Sequence, residues 1–217
     1  MNQIIFKEKL IENPSFEKKH YKKQLFQSFF LLSIFLLFIA IFRIFFTFIE
    51  NNRNEQIAKD IVTQLELDAL YSNPSRLIVP SQSQEQNSSI LGTISISKIA
   101  IEYPIFSETT DEFLKIGVCR FSGFMPPSKG NLCIAGHNYN NQKLFSRIGE
   151  LGLGDEIILK DLTGKQYFYE VYDSLEVTED DASPIAPSFP NTCELTLITC
   201  TNKNSHRIII KAKETNK

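Results

Sequence analysis

A thiol at the end of an apolar run is where this chain could do chemistry. The run Leu195-Thr196-Leu197-Ile198-Thr199-Cys200 is apolar and β-branched, the pattern of a buried strand. Arg207 stands near the start of a second such run, His206 to Ala212, and the polar stretch Thr201 to Ser205 reads as the connection between the two. A cysteine ending one strand and an arginine beginning the next could lie side by side. The thiolate is the nucleophilic form of cysteine, and a neighbouring cation favours it. A guanidinium can also stabilise the oxyanion formed when that thiolate attacks a carbonyl. Such a pair still lacks a proton donor for the leaving group.

His137 is the candidate for that role. It follows the short apolar strand Asn131 to Ala135 and precedes Asn138-Tyr139-Asn140-Asn141, a loop at a strand end, where a rigid scaffold presents reactive side chains. An imidazole there could protonate a leaving amine and later deprotonate an incoming one. The other two histidines fit less well: His20 lies before the apolar N-terminal run, and His206 neighbours Arg207 on a strand, so their side chains point to opposite faces. Cys119, Cys133 and Cys193 have no C-x-x-C spacing and no paired His, which argues against a zinc ribbon or a redox dithiol. They read as small buried hydrophobes, and counting alone leaves disulfides open.

The elements that must position these residues follow from composition and periodicity. The chain has 217 residues, a hydrophobic fraction of 42%, and 23 basic against 25 acidic residues, enough apolar content for one domain with a core plus an accessory segment. With no basic block in the C-terminal two thirds, a nucleic-acid partner is not indicated. Residues 29–49 are almost wholly apolar, interrupted by Ser33, Thr47 and Arg43. At about 1.5 Å per residue a helix of that length spans roughly 30 Å of hydrocarbon. Arg43 lies late enough in the run to snorkel toward the interface. Lys7, Lys9, Lys18, Lys19, Lys22 and Lys23 precede the run, so the positive-inside rule puts residues 1–28 in the cytoplasm and everything after Glu50 outside. The absence of a small-x-small cleavage site close behind the run suggests an uncleaved, single-pass signal anchor.

Residues 50–89 read as an amphipathic helix, carrying Ile57, Ile61, Val62, Leu65 and Leu70, followed by a polar tether from Asn73 to Ser89. The folded domain is expected over 90–217, so a chain beginning near Ser89 should fold and act alone. Its pattern is β-rich: a hairpin of Leu91 to Ile96 with Ile99 to Phe106, then strands at Asn131 to Ala135, Asp155 to Lys160, Lys165 to Ser174, Leu195 to Cys200 and His206 to Ala212. Short helices are predicted over Asp111 to Val118 and Leu144 to Leu151. Many short strands and few helices point to a closed barrel or a sandwich, and closure removes exposed edges.

Ala135-Gly136-His137, then Thr196-Leu197-Ile198-Thr199-Cys200, then Arg207, in that order behind an N-terminal anchor, resemble the sortase family of Gram-positive surface transpeptidases. The similarity runs from about Ile90 to Glu214 and includes Gly117-Val118, Gly130-Asn131, Phe145, Leu151 and Gly154-Asp155. It implies an all-β fold, a closed eight-stranded sortase-type barrel with short helices. It also implies cleavage of a Leu-Pro-x-Thr-Gly-like sorting signal on surface proteins, through a thioester resolved by an amine of a peptidoglycan precursor or another acceptor. By the same resemblance Cys200 is the nucleophile, His137 the general acid and base, and Arg207 the oxyanion or substrate-positioning group. Ala135 and Thr199 would line the substrate groove, and Thr178 to Cys193, with Pro184, Ile185, Pro187 and Pro190, would cover it.

The loop Phe121 to Gly130 has no carboxylate of the kind that binds calcium in some class A members, and Glu179, Asp180 and Asp181 read as a solvated turn, so no metal or cofactor is expected. The loop from Thr178 is short for class B, and the class C lid motif is missing, which leaves a class D-like or unassigned member. Papain-like enzymes place Cys upstream of His, the reverse of this order. The rivals are a sortase-like enzyme that only hydrolyses and a binding module without turnover.

Overall fold

The computed structural model describes residues 14–71, 89–139, 141–189, 191–201 and 205–215. Most of the expected polar tether, the N-terminal part of the Lys-rich tail, Asn140, Pro190 and the middle of the Thr201 to Ser205 connection lie outside them. The chain divides into two compact units at Glu50 and Asn51.

The first unit contributes the start of helix α1, Pro14–Leu70. From Leu25 to Ile49 its large apolar side chains are exposed all round, Phe30 and Phe38 among them. A helix whose described apolar side chains are exposed on every side is suited to lipid, and this one is long and apolar enough to be a candidate transmembrane segment.

The second unit is a closed barrel of eight strands: β1 Ile90–Ile96, β2 Ile101–Phe106, β3 Val118–Ser122, β4 Gly130–Ala135, β5 Glu156–Asp161, β6 Gln166–Thr178, β7 Cys193–Cys200 and β8 His206–Thr215. Around the barrel the order is β1-β2-β3-β4-β7-β8-β6-β5. Closure pairs every strand on both sides and leaves no edge. Its core is β-branched and aliphatic: Ile94, Ile96, Ile105, Ile134, Ile157, Leu159, Leu195, Leu197 and Ile210 are fully buried. Two pairings, β2 with β3 and β4 with β7, are parallel. The second brings the C-terminal ends of β4 and β7 to the same end of the barrel.

Two helices expected from periodicity take other forms. The run from Asp111 is a helix, α2, only as far as Ile116, capped by the Thr110 hydroxyl accepting from the Phe113 amide at 3.2 Å. Gly117 is extended, and Val118 begins β3, paired with Ile105 of β2. A Cβ on Gly117 would meet the Pro104 carbonyl at 2.6 Å, so the change of direction there needs glycine. The run Leu144 to Leu151 forms successive turns and a short 3-10 segment, Ile148–Glu150. Gln142 at φ 64° and Leu144 at φ 51° are incompatible with an α-helix, yet Leu144, Phe145, Ile148 and Leu151 are all buried. Turns satisfied the same apolar spacing.

The compact unit begins at Asn51, so the barrel carries the end of α1 that the sequence assigned to an accessory segment. Ile61 and Leu65 pack against Ile90, Phe106 and Cys119 on the barrel's outer face, and Ala58 joins the main core.

Candidate active site

Cys200 is the last residue of β7 and lies opposite Arg207 of β8 in the antiparallel register. Directly opposed residues share a face of the sheet, so thiol and guanidinium project to the same side. That side is the outer one, because Leu195 and Leu197, one position out of phase, point into the core. Ile198 pairs with Ile209 and, across the parallel ladder, with Ala135, so these three form an apolar floor beside Cys200.

The parallel register brings His137 level with the thiol. Ala135 aligns with Ile198, and the Gly136 amide donates to the Ile198 carbonyl at 3.1 Å, extending the ladder past the end of β4. Asn138 then donates through Nδ2 to the Cys200 carbonyl at 2.9 Å, and the Phe145 amide donates to the His137 carbonyl at 3.1 Å. His137 is therefore held by bonds on both sides of it along the chain. Gly136 is required here, because a Cβ would stand 2.7 Å from the Phe145 ring, itself fully buried.

Burial pushes the His137 imidazole below its usual pKa; Lys115 adds to the shift and Asp111 opposes it. Arg207 reaches Glu179 at 3.4 Å through Nη2 and donates to the His206 carbonyl at 3.3 Å through Nη1. All four cysteines are free, and of these only Cys200 is not buried. Desolvation raises the Cys119 thiol to about 12 and Cys193 to about 11, and pushes Cys133 up as well. Those three thiols are poor nucleophiles near neutral pH.

The two residues expected to line a groove separate. Ala135 lies on the Cys200 face, half-buried, whereas Thr199 has the inward parity of Leu197, is 2% exposed, and gives its hydroxyl to the Gly136 carbonyl at 2.8 Å. Thr199 thus ties β7 to the turn that carries His137.

Asn131, named in the sequence only as part of the resemblance, and Glu194 and Lys211, which sequence reasoning passed over, hold the β6–β7 loop on the same outer face. Asn131 donates to the carbonyls of Pro184 and Ile185 at 3.1 and 3.0 Å, and accepts from Thr196 at 2.9 Å. Glu194 accepts from the amides of Ser188 and Phe189 and from the Tyr172 hydroxyl, at 3.0, 2.6 and 2.9 Å. Burial alone would raise the Glu194 carboxyl, but those donors and Lys211 hold it below its usual pKa. Lys211 in turn donates to Ser188 at 2.6 Å. The available signal was polar residues at alternate positions of strands otherwise too apolar to carry them.

A closed eight-stranded barrel that sets a half-exposed thiol opposite a guanidinium on its outer face has the makings of a β-barrel cysteine enzyme. A family model of the sortase domain matches residues 94–215, and the chain belongs to the sortase family of cysteine transpeptidases. It is 31% identical over 148 residues to sortase A of Bacillus anthracis, covering 64% of this chain and 69% of that protein. The fold is like that of a sortase D5 transpeptidase of Clostridium perfringens, at TM-score 0.58 and 24% identity, covering 74% of this chain and 99% of that one. It is also like sortase C of Clostridium perfringens, solved with a C-terminal cell wall sorting motif, at TM-score 0.54 and 25% identity over 79% of this chain and 96% of that one.

Proposed function

We propose that this sortase cleaves a Leu-Pro-x-Thr-Gly-like sorting signal and passes the new carboxyl end to an amine of a peptidoglycan precursor, with Cys200, His137 and Arg207 doing the chemistry. The Cys200 thiolate attacks the threonine carbonyl, and the oxyanion that forms accepts hydrogen bonds from Arg207. His137 gives a proton to the departing glycine amine as the C–N bond breaks, leaving a thioester on Cys200. The acceptor amine loses a proton to His137 and attacks the thioester, and the thiolate is released. The observation that carries this reading is the register opposing Cys200 to Arg207, with the Asn138 bond to the Cys200 carbonyl bringing the His137 turn alongside. That a related sortase C was solved with a sorting motif supports the substrate class. Ala135 would contact the signal directly, whereas Thr199 would act by holding the turn beneath it.

The test is mass spectrometry of the protein with sorting-signal peptides, with and without an amine. A thioester adduct and an amine-dependent product are expected. Hydrolysis product alone, whatever the amine, would replace transfer by hydrolysis.

Arg207 and His137 should respond differently to substitution. Arg207→Lys keeps a charge but loses the planar fork of donors, and turnover should fall on the order of 10²-fold, the scale of one lost oxyanion donor. His137→Ala should erase one limb of the pH–rate profile. Because burial lowers the imidazole pKa, that limb should lie on the acid side of the ordinary histidine value of about 6.5. Full turnover in Arg207→Lys, or an unchanged profile in His137→Ala, would refute these roles.

The apolar part of α1 we read as a single-pass anchor through residues 29–49, with the Lys-rich N-terminus in the cytoplasm and the barrel outside. Protease added to intact protoplasts should then digest the region after Glu50. Protection of the barrel would reverse the orientation.

A further inference from the structure

The end of α1 does more than cover an apolar face. Glu55 lies half-buried one helical turn after Asn51, where its carboxylate accepts from the Tyr103 hydroxyl at 3.0 Å. Lys143 approaches the same carboxylate oxygen at 3.7 Å and donates to the Asn51 carbonyl at 3.4 Å. Lys143 belongs to the β4–β5 loop, the loop that begins with Gly136 and His137. Two residues beyond it, the Phe145 amide holds the His137 carbonyl. On either side of Lys143, Gln142 and Leu144 take left-handed backbone conformations, at φ 64° and 51°. Side chains with a Cβ adopt that region only where their surroundings hold them there. The cleft lined by Glu55, Tyr103, Lys115 and Lys143 also includes Tyr139, whose ring centroid is 4.7 Å from that of His137.

The segment that most needs an external constraint is thus the segment that presents His137, and the helix supplies a charged contact at its centre. We propose that Glu55 is a positioning residue for the reaction: through Lys143 it holds the β4–β5 loop in the arrangement that presents His137 to Cys200. The helix directly following the apolar segment is then a working part of the catalytic centre. The inference rests on His137 being the acid–base group.

Glu55 has a built-in control. Glu66, on the same helix, makes a shorter ion pair with Lys160 of β5, at 2.9 Å, and among the described residues it makes no hydrogen bond or ion pair with the His137 loop. The full chain in detergent micelles is compared as wild type, Glu55→Ala, Glu66→Ala, Lys143→Glu and Glu55→Lys with Lys143→Glu. Glu55→Ala and Lys143→Glu should lower kcat about tenfold, since a shift of the loop by a fraction of an ångström costs less than the roughly 10² of a full ångström. KM for the peptide and the rate of Cys200 alkylation should hardly change. The double charge reversal should recover most of the loss, and Glu66→Ala should keep wild-type kcat. If Glu55→Ala does not fold, Glu55→Gln keeps the acceptor for Tyr103 and removes only the charge facing Lys143. Unchanged kcat in the Glu55 variant, an equal loss in Glu66→Ala, or no recovery on charge reversal would each overturn the proposal. His137→Ala, run alongside, separates the two readings: wild-type turnover in His137→Ala removes the acid–base assignment itself, whereas a large loss there beside a fully active Glu55 variant removes only the positioning role.

Discussion

Cys200→Ala is expected to abolish both peptide cleavage and transfer while leaving the barrel folded. The change deletes one sulfur from a half-exposed strand end, where the Asn138 bond goes to the main-chain carbonyl and survives the substitution. Its effect on stability should stay within about 1 kcal/mol, because no core cavity opens. The same change at Cys119 or Cys133 removes a fully buried sulfur and should cost roughly 1–2 kcal/mol by the cavity it leaves, with turnover retained. Thermal midpoints and adduct mass spectra of the three single variants separate the two effects. Activity surviving in Cys200→Ala while another cysteine variant loses it would move the nucleophile elsewhere.

The ends of β7 and β8 were legible because their information is local. A β-branched run ending in Cys and a second run starting at Arg need only one short connection to oppose each other, and they do so residue for residue. The position of His137 relative to Cys200 was not legible in that way. It depends on the parallel pairing of β4 with β7, two strands with β5 and β6 between them in the chain, and no periodicity encodes which distant strand is a neighbour. The likeness to a known family supplied that step. Strand β3 was missed because the helical spacing of Phe113, Leu114 and Val118 runs across Gly117, where the backbone is extended. Thr199 was expected in the groove, against the alternation along β7 that turns it inward, and its hydroxyl partner, the Gly136 carbonyl, is another product of the β4–β7 pairing. Amphipathicity after Glu50 was visible, yet an apolar stripe states only that something covers it, not that the cover is the barrel's own outer face.

That last difference bears on where the catalytic unit begins. A chain starting at Asn51 should fold with the stability of the intact domain, whereas one starting at Ser89, sufficient by sequence, should be weaker by several kcal/mol. Ile61, Val62 and Leu65 are each under 9% exposed, and Ile61 and Leu65 pack on Ile90, Phe106 and Cys119, which are at most 3% exposed. Burying three such side chains contributes roughly 5–8 kcal/mol as an upper bound. Ordering the helix offsets part of this, leaving a few kcal/mol of a domain stability that is itself about 5–15 kcal/mol. At this size about 3 kcal/mol lowers Tm by about 10 °C. The uncovered Phe106, stacked on Phe113 with ring centroids 4.4 Å apart, would also add to an exposed apolar surface prone to association. Calorimetry and size-exclusion chromatography of the two truncated chains decide the matter. Equal Tm and equal monomer content would mean that residues 51–70 merely rest on the barrel, and the domain boundary would return to Ile90.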